Sequence, residues 1–148
     1  MSKKKVILDC DPGHDDAFAI MLSVQNLDVL GITCVGGNTP LENVTRNALT
    51  VLEAIGHADE VPVFAGCSHP MVADLVTAPM FHGKSGLDGH HRPEPVHKIQ
   101  REHAVDFIAD TVMSTDDVTI LATGPLTNVA EALNREPRMV ERVREICI

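Results

Sequence analysis

Four carboxylates fall within eight residues near the start of the chain, in the run Asp9-Cys10-Asp11-Pro12-Gly13-His14-Asp15-Asp16. Asp9 and Asp11 are two apart, so on an extended backbone they share one face while Cys10 points to the other. Pro12-Gly13 turns the chain, and Asp15 and Asp16 then open a helix whose N-terminal dipole favours negative charge. Crowded at the mouth of an apolar sheet, the four repel one another unless a cation holds them or some take up protons. An all-oxygen cluster suits a hard cation, Ca²⁺ or Mg²⁺, over Zn²⁺. Helix capping accounts for one or two of these carboxylates and leaves the pair on the preceding strand unexplained. The pairs Asp59-Glu60 and Asp116-Asp117 precede strands instead, and read as solvated turns at the opposite edge of the sheet.

The elements that must hold this loop alternate between strand and helix. Lys5 to Cys10 reads as a short buried strand, and Ala17, Ile20, Met21 and Val24 mark one face of a helix over 15–24. A second strand, Val29 to Val35, ends in Gly36-Gly37-Asn38. Pro40 opens a long helix, with Leu41, Val44, Ala48, Val51, Leu52 and Ile55 on its apolar face and Gly56 at its close. Val61 to Ala65 predicts a third strand. Residues 66–95 are rich in Gly, Pro and His and read as a long loop of the active-site kind, helical in part around Met71 to Val76. Helices are expected near 101–113, from Gly124-Pro125 through Leu133, and from Pro137 through Arg144. Val118 to Ala122 is a fourth strand, and Glu145 to Ile148 begins a fifth. The pattern predicts a single α/β domain over 1–148, a mostly parallel Rossmann-like sheet with helices on both faces. Ligands of such sheets bind outside the carboxyl ends of the strands. Three segments fall there: Asp11 to Asp16, Gly36 to Asn38, and Thr123 to Asn128.

Composition narrows the partners. Apolar residues make up 44% and charged residues 22%, with four Phe and no Trp or Tyr, which suits an aliphatic core under helices. A formal net charge of −9 repels phosphate backbones and anionic membrane faces. Nucleic acid and membranes are therefore excluded as expected partners, and a small molecule, neutral or held through a metal, is favoured. Cys10, Cys34, Cys67 and Cys147 form no C-x-x-C pair and read as reduced, buried thiols of a cytoplasmic protein. Lys3-Lys4-Lys5 before Val6-Ile7-Leu8 has the order of a signal peptide, but the apolar run stops at Asp9, too early for one.

The run Ile7-Leu8-Asp9-Cys10-Asp11-Pro12-Gly13-His14-Asp15-Asp16-Ala17 resembles the signature of the inosine-uridine nucleoside hydrolases. Further segments agree in order: Gly37-Asn38 with Thr45-Arg46-Asn47, His82-Gly83 with Gly86-Leu87, and Gly124-Pro125-Leu126-Thr127-Asn128. The resemblance implies a Ca²⁺-dependent enzyme of nucleoside catabolism and salvage, which hydrolyses the N-glycosidic bond of ribonucleosides to ribose and free base. It also implies a homo-oligomer, dimer or tetramer. Carried over to this chain, it makes Asp11, Asp16 and the backbone carbonyl of Thr123 the metal ligands, with Asp11 also the general base. Asp15 would bind the ribose hydroxyls and Asn38 would orient water and sugar. His82 resembles the family's base-pocket histidine, and Asp9 supports the loop from behind. His14 would line the site, and His90, His91 and His97 are expected to be exposed loop residues. Gly86-Leu87-Asp88-Gly89 resembles the bacterial pyrimidine-preferring branch.

Three other readings compete. Gly83-Lys84-Ser85 fails as a phosphate-binding loop because Ala78 stands where the first glycine is required. A haloacid-dehalogenase-like phosphatase would use Asp9 as nucleophile, with Asp11 and Thr123, but has no need of Asp15 and Asp16. The last is a catalytically incomplete fragment that binds metal weakly. The resemblance stops at about half of a usual family member, so a truncated chain is expected, lacking the last metal ligand and exposing apolar surface that invites self-association.

Overall fold

The computed structural model describes residues 3–89 and 93–148. His90 and His91, read above as exposed, lie outside them. Five strands make one sheet in which every pairing is parallel: β1 (Lys5–Cys10), β2 (Asp28–Cys34), β3 (Val63–Ala65), β4 (Val118–Ala122) and β5 (Glu145–Cys147). Their order is β3-β2-β1-β4-β5, so the direction of winding reverses beside β1. β1 pairs Cys10 with Cys34 on one side and Asp9 with Ala122 on the other. Both neighbours therefore end level with the acidic loop. The α/β reading of the sequence holds.

Helices α1 (His14–Asn26) and α2 (Leu41–Ile55) cover one face, packing Ala17, Ile20, Val44, Ala48 and Leu52 on Leu8, Cys10, Ile32 and Cys34. The other face carries α4 (Ala104–Ser114), α5 (Thr127–Arg135) and α6 (Met139–Arg142), with Ile108, Val112, Val129 and Met139 against Ile7, Val118 and Ile120. Alternation along β1 explains the division. Leu8 and Cys10 face one layer, Ile7 the other, and each face buries a separate aliphatic cluster. Gly56 ends α2 in the left-handed conformation (φ 76°) and donates its N–H to Glu53 and Leu52 carbonyls, the terminator expected of that residue. α1 turns Phe18 and Leu22 outward, 66% and 62% exposed.

Several boundaries differ from the sequence reading. Residues 71–76 are not helical. Met71, Val72 and Val76 are exposed and bury no face, and a short helix without packing does not pay its nucleation cost. The helix of the long loop is instead α3 (Pro79–His82), started by a proline whose fixed φ suits a first helical position. Strand β3 begins at Val63, after Pro62, which offers a carbonyl to Ile32 but has no N–H. Gly124 and Pro125 form a turn, and α5 starts at Thr127. His97 is only half-buried and is not free. Its ring bonds to Glu53 at 2.7 Å and to Asp59 at 3.1 Å, drawn there because α2 and the following turn present two carboxylates to the returning loop. All four cysteines are free thiols, Cys10 and Cys34 buried and the other two partly so. Among the described residues no helix is long and apolar enough to cross a membrane.

Candidate active site

Asp11 is the residue on which the strand ends converge. It leaves β1 at the reversal of strand order, only 6% exposed. Its own N–H donates to Asp16 Oδ2 at 3.0 Å, so the first turn of α1 folds back onto the strand. From the chain leaving β2, Asn38 N–H donates to Asp11 Oδ2 at 2.6 Å, and Asn38 Nδ2 donates to the Asp11 carbonyl at 3.0 Å. From the chain leaving β4, Thr123 N–H donates to the Asp9 carbonyl at 2.9 Å. Four of the residues singled out in the sequence, Asp11, Asp16, Asn38 and Thr123, are thus brought to one place.

The electrostatics are those of negative charge held out of water. Burial lifts the Asp11 carboxyl to about 7; Asn38 N–H opposes the rise and neighbouring Asp16 adds to it. Burial raises Asp16 as well, with a side-chain bond from Thr123 acting against it. Asp9 is wholly buried and pushed up to about 6, despite bonds from Thr33 Oγ1 (2.6 Å) and Asn128 Nδ2 (2.9 Å) to its Oδ1. Its other oxygen, Oδ2, is buried without a partner. Closed off in this way, Asp9 is not available as the nucleophile that a phosphatase would need.

A second cluster forms at the rim. Asp15 is exposed and lies 4.0 Å from His82 Nε2. His14 N–H donates to His82 Nδ1 at 3.3 Å, so that nitrogen carries no proton and the neutral ring bears it on Nε2, facing Asp15. The His14 ring stacks on His82 at 5.7 Å and holds the Asp88 carbonyl at 2.9 Å. Gly13 permits this contact, since a Cβ there would come within 2.7 Å of the His82 ring. Asn47 on α2 fastens the arrangement, donating to the Pro12 carbonyl at 2.9 Å and the Ser85 carbonyl at 2.8 Å.

Among the described residues, no three His, Cys, Asp or Glu side chains gather as a closed metal cage. What the site offers is a partial one: two buried carboxylates raised by burial, the Thr123 side chain bonded to Asp16, and an orphaned carboxylate oxygen behind them. Such a donor set is all oxygen and lacks compensating positive charge, which fits a hard divalent cation. The sequence reading missed the role of Thr33 and gave none to Asn47 or Asn128. A lone hydroxyl inside the strand Gly31-Ile32-Thr33-Cys34 and an amide in the apolar start of α5 were the available signals.

Comparison with known proteins agrees over the whole chain. The family described as inosine-uridine preferring nucleoside hydrolase matches residues 6–148. The pyrimidine-specific ribonucleoside hydrolase RihB of Escherichia coli O1:K1 is 41% identical, over 100% of this chain and 48% of that protein. A purine-preferring ribonucleoside hydrolase from Gardnerella vaginalis superposes with a TM-score of 0.88 at 36% identity, over 97% of this chain and 47% of the other. The plant nucleoside hydrolase PpNRh1 gives 0.91 at 36% identity, over 97% and 46%. The chain spans about half the length of the curated relatives it matches.

Proposed function

The chain belongs to the inosine-uridine preferring nucleoside hydrolase family, and on that footing we propose that its acidic loop serves the hydrolysis of the N-glycosidic bond of a ribonucleoside. The observation that carries the reading is the buried Asp11–Asp16 pair at the reversal of strand order, braced by Asn38. Asp11, Asp16 and the Thr123 carbonyl would hold a Ca²⁺, which when bound supplies the charge that acidifies water and offsets the carboxylates. Asp11 takes a proton from the attacking water as general base. Asn38, fixed at two points on Asp11, orients water and sugar. Asp15, exposed at the rim, accepts hydrogen bonds from the ribose hydroxyls. As the water oxygen bonds to the anomeric carbon, the C–N bond breaks and its electron pair leaves with the base. His82, whose Nε2 faces Asp15, would contact the base and supply it a hydrogen bond.

The test is release of ribose from uridine, cytidine and inosine, with and without a Ca²⁺ chelator, for this chain and for Asp11→Asn. Loss of the base is expected to lower turnover by about 10²–10⁴-fold, and chelation should do at least as much. Turnover that ignores the chelator, or an Asp11→Asn variant of full activity, overturns the mechanism.

A further inference from the structure

Asn128 takes no part in the chemistry proposed above, yet it is fully buried in the first turn of α5 and bonded to three other segments. Its Nδ2 donates to Asp9 Oδ1 at 2.9 Å and to the Cys34 carbonyl at 3.0 Å. Its Oδ1 accepts from Cys67 N–H at 2.8 Å. One amide therefore joins the ends of β1 and β2 to the chain leaving β3. Gly66 makes room for it, since a Cβ at that position would collide with the Asn128 amide.

The loop from β4 to α5 is consequently tied to Asp9 twice. At its start Thr123 N–H donates to the Asp9 carbonyl at 2.9 Å, and at its end Asn128 holds the Asp9 carboxylate. Between the two ties lie the Thr123 carbonyl and Gly124, whose added Cβ would stand 2.9 Å from both N and Oδ1 of Asp11. Any slackening of the loop moves the Thr123 carbonyl relative to Asp11 and Asp16.

We infer that Asn128 is a positioning residue. By closing the 123–128 loop onto Asp9, it sets the spacing between the Thr123 carbonyl and the two carboxylates, and so the affinity of the site for a divalent cation. This rests on the reading of the site as a Ca²⁺ centre. Thr33 supplies the comparison that separates positioning from mere satisfaction of a buried group. Its hydroxyl also donates to Asp9 Oδ1, at 2.6 Å, but from within β2 rather than from the loop.

Calorimetric titration with Ca²⁺ on the full chain, for wild type, Asn128→Ala, Gly66→Ala and Thr33→Val, reads the affinity. Amide exchange at Thr123 without Ca²⁺ reads the loop itself. Asn128→Ala and Gly66→Ala are expected to weaken binding by about 10–100-fold and to speed exchange at Thr123, leaving the amides of β4 protected. Thr33→Val should change binding by a clearly smaller factor and leave Thr123 exchange unaltered. Gly66→Ala displaces the amide without removing it, and decides the matter if Asn128→Ala fails to fold. The proposal is overturned by wild-type affinity in both variants, by an equal loss in Thr33→Val, or by unchanged exchange at Thr123. If the wild-type chain takes up no Ca²⁺, the reading as a cation centre falls, and the positioning role stands or falls on Thr123 exchange alone.

Discussion

A methyl group at position 37 would collide with Asp11 Oδ2, and one at position 124 would crowd the same side chain from the other strand. The central carboxylate is thus gripped between two stretches of bare backbone. Gly37→Ala is expected to displace it, weakening Ca²⁺ binding about tenfold or more and costing about 1–3 kcal/mol of stability, as overpacking does. Titration and a thermal melt of the same variant measure the two effects; unchanged affinity would mean that Asp11 tolerates the displacement. Asp11 could be singled out from the sequence because its type and spacing are those that a metal ligand or general base needs. Its grip could not, because a glycine announces room but not what fills it.

At the scale of elements, the long loop between β3 and α4 is fastened by groups on α2. Asn47 holds Ser85, and Glu53 accepts from both the backbone N–H and the ring of His97. Glu53 and Asp59 raise the pKa of His97, while His97 lowers that of Glu53. His97, raised above its ordinary 6.5, stabilises the fold fully below that value and loses the effect as pH rises through its folded pKa. Glu53, lowered from 4.5, contributes above that value and loses the effect as pH falls through its folded pKa. The clasp is therefore strongest between the two. His97→Gln should speed amide exchange at His97 and Gln100 near pH 6 far more than near pH 8, and equal effects at both would remove the ionic part of the clasp. The sequence showed the strands and α2 plainly, since apolar period and a closing glycine are local signals. It did not show the clasp, or α3 in place of a helix at 71–76, because those depend on which faces find partners across the fold.

For the whole molecule, the uncompensated carboxylates imply that a divalent cation bound among them would stabilise the folded chain. Ca²⁺ at about a hundred times its Kd should add about 2.7 kcal/mol, which for a domain of this size raises Tm by roughly 5–10 °C. Asp9 and Asp11, pushed up to about 6 and about 7, hold protons in the folded state that the unfolded chain releases. Without cation, stability therefore falls as pH rises from about 4 to about 7. Binding must displace those protons, so the Ca²⁺-induced rise in Tm should be larger above pH about 7 than at pH about 5. Melts at the two pH values, with Ca²⁺ and with chelator, check both statements, and a rise independent of pH would separate the cation from these carboxyls.

The sheet order has a further consequence during synthesis. Asp9 lies on β1, yet Asn128, which binds its carboxylate, follows 119 residues later. At about 5–20 residues per second, the nascent chain waits on the order of ten seconds with β1 lacking its β4 neighbour. During that interval Val6, Ile7 and Leu8 have only β2 and the first helices for cover. The strand that leads into the acidic loop is thus made well before the strand and the amide that complete its surroundings.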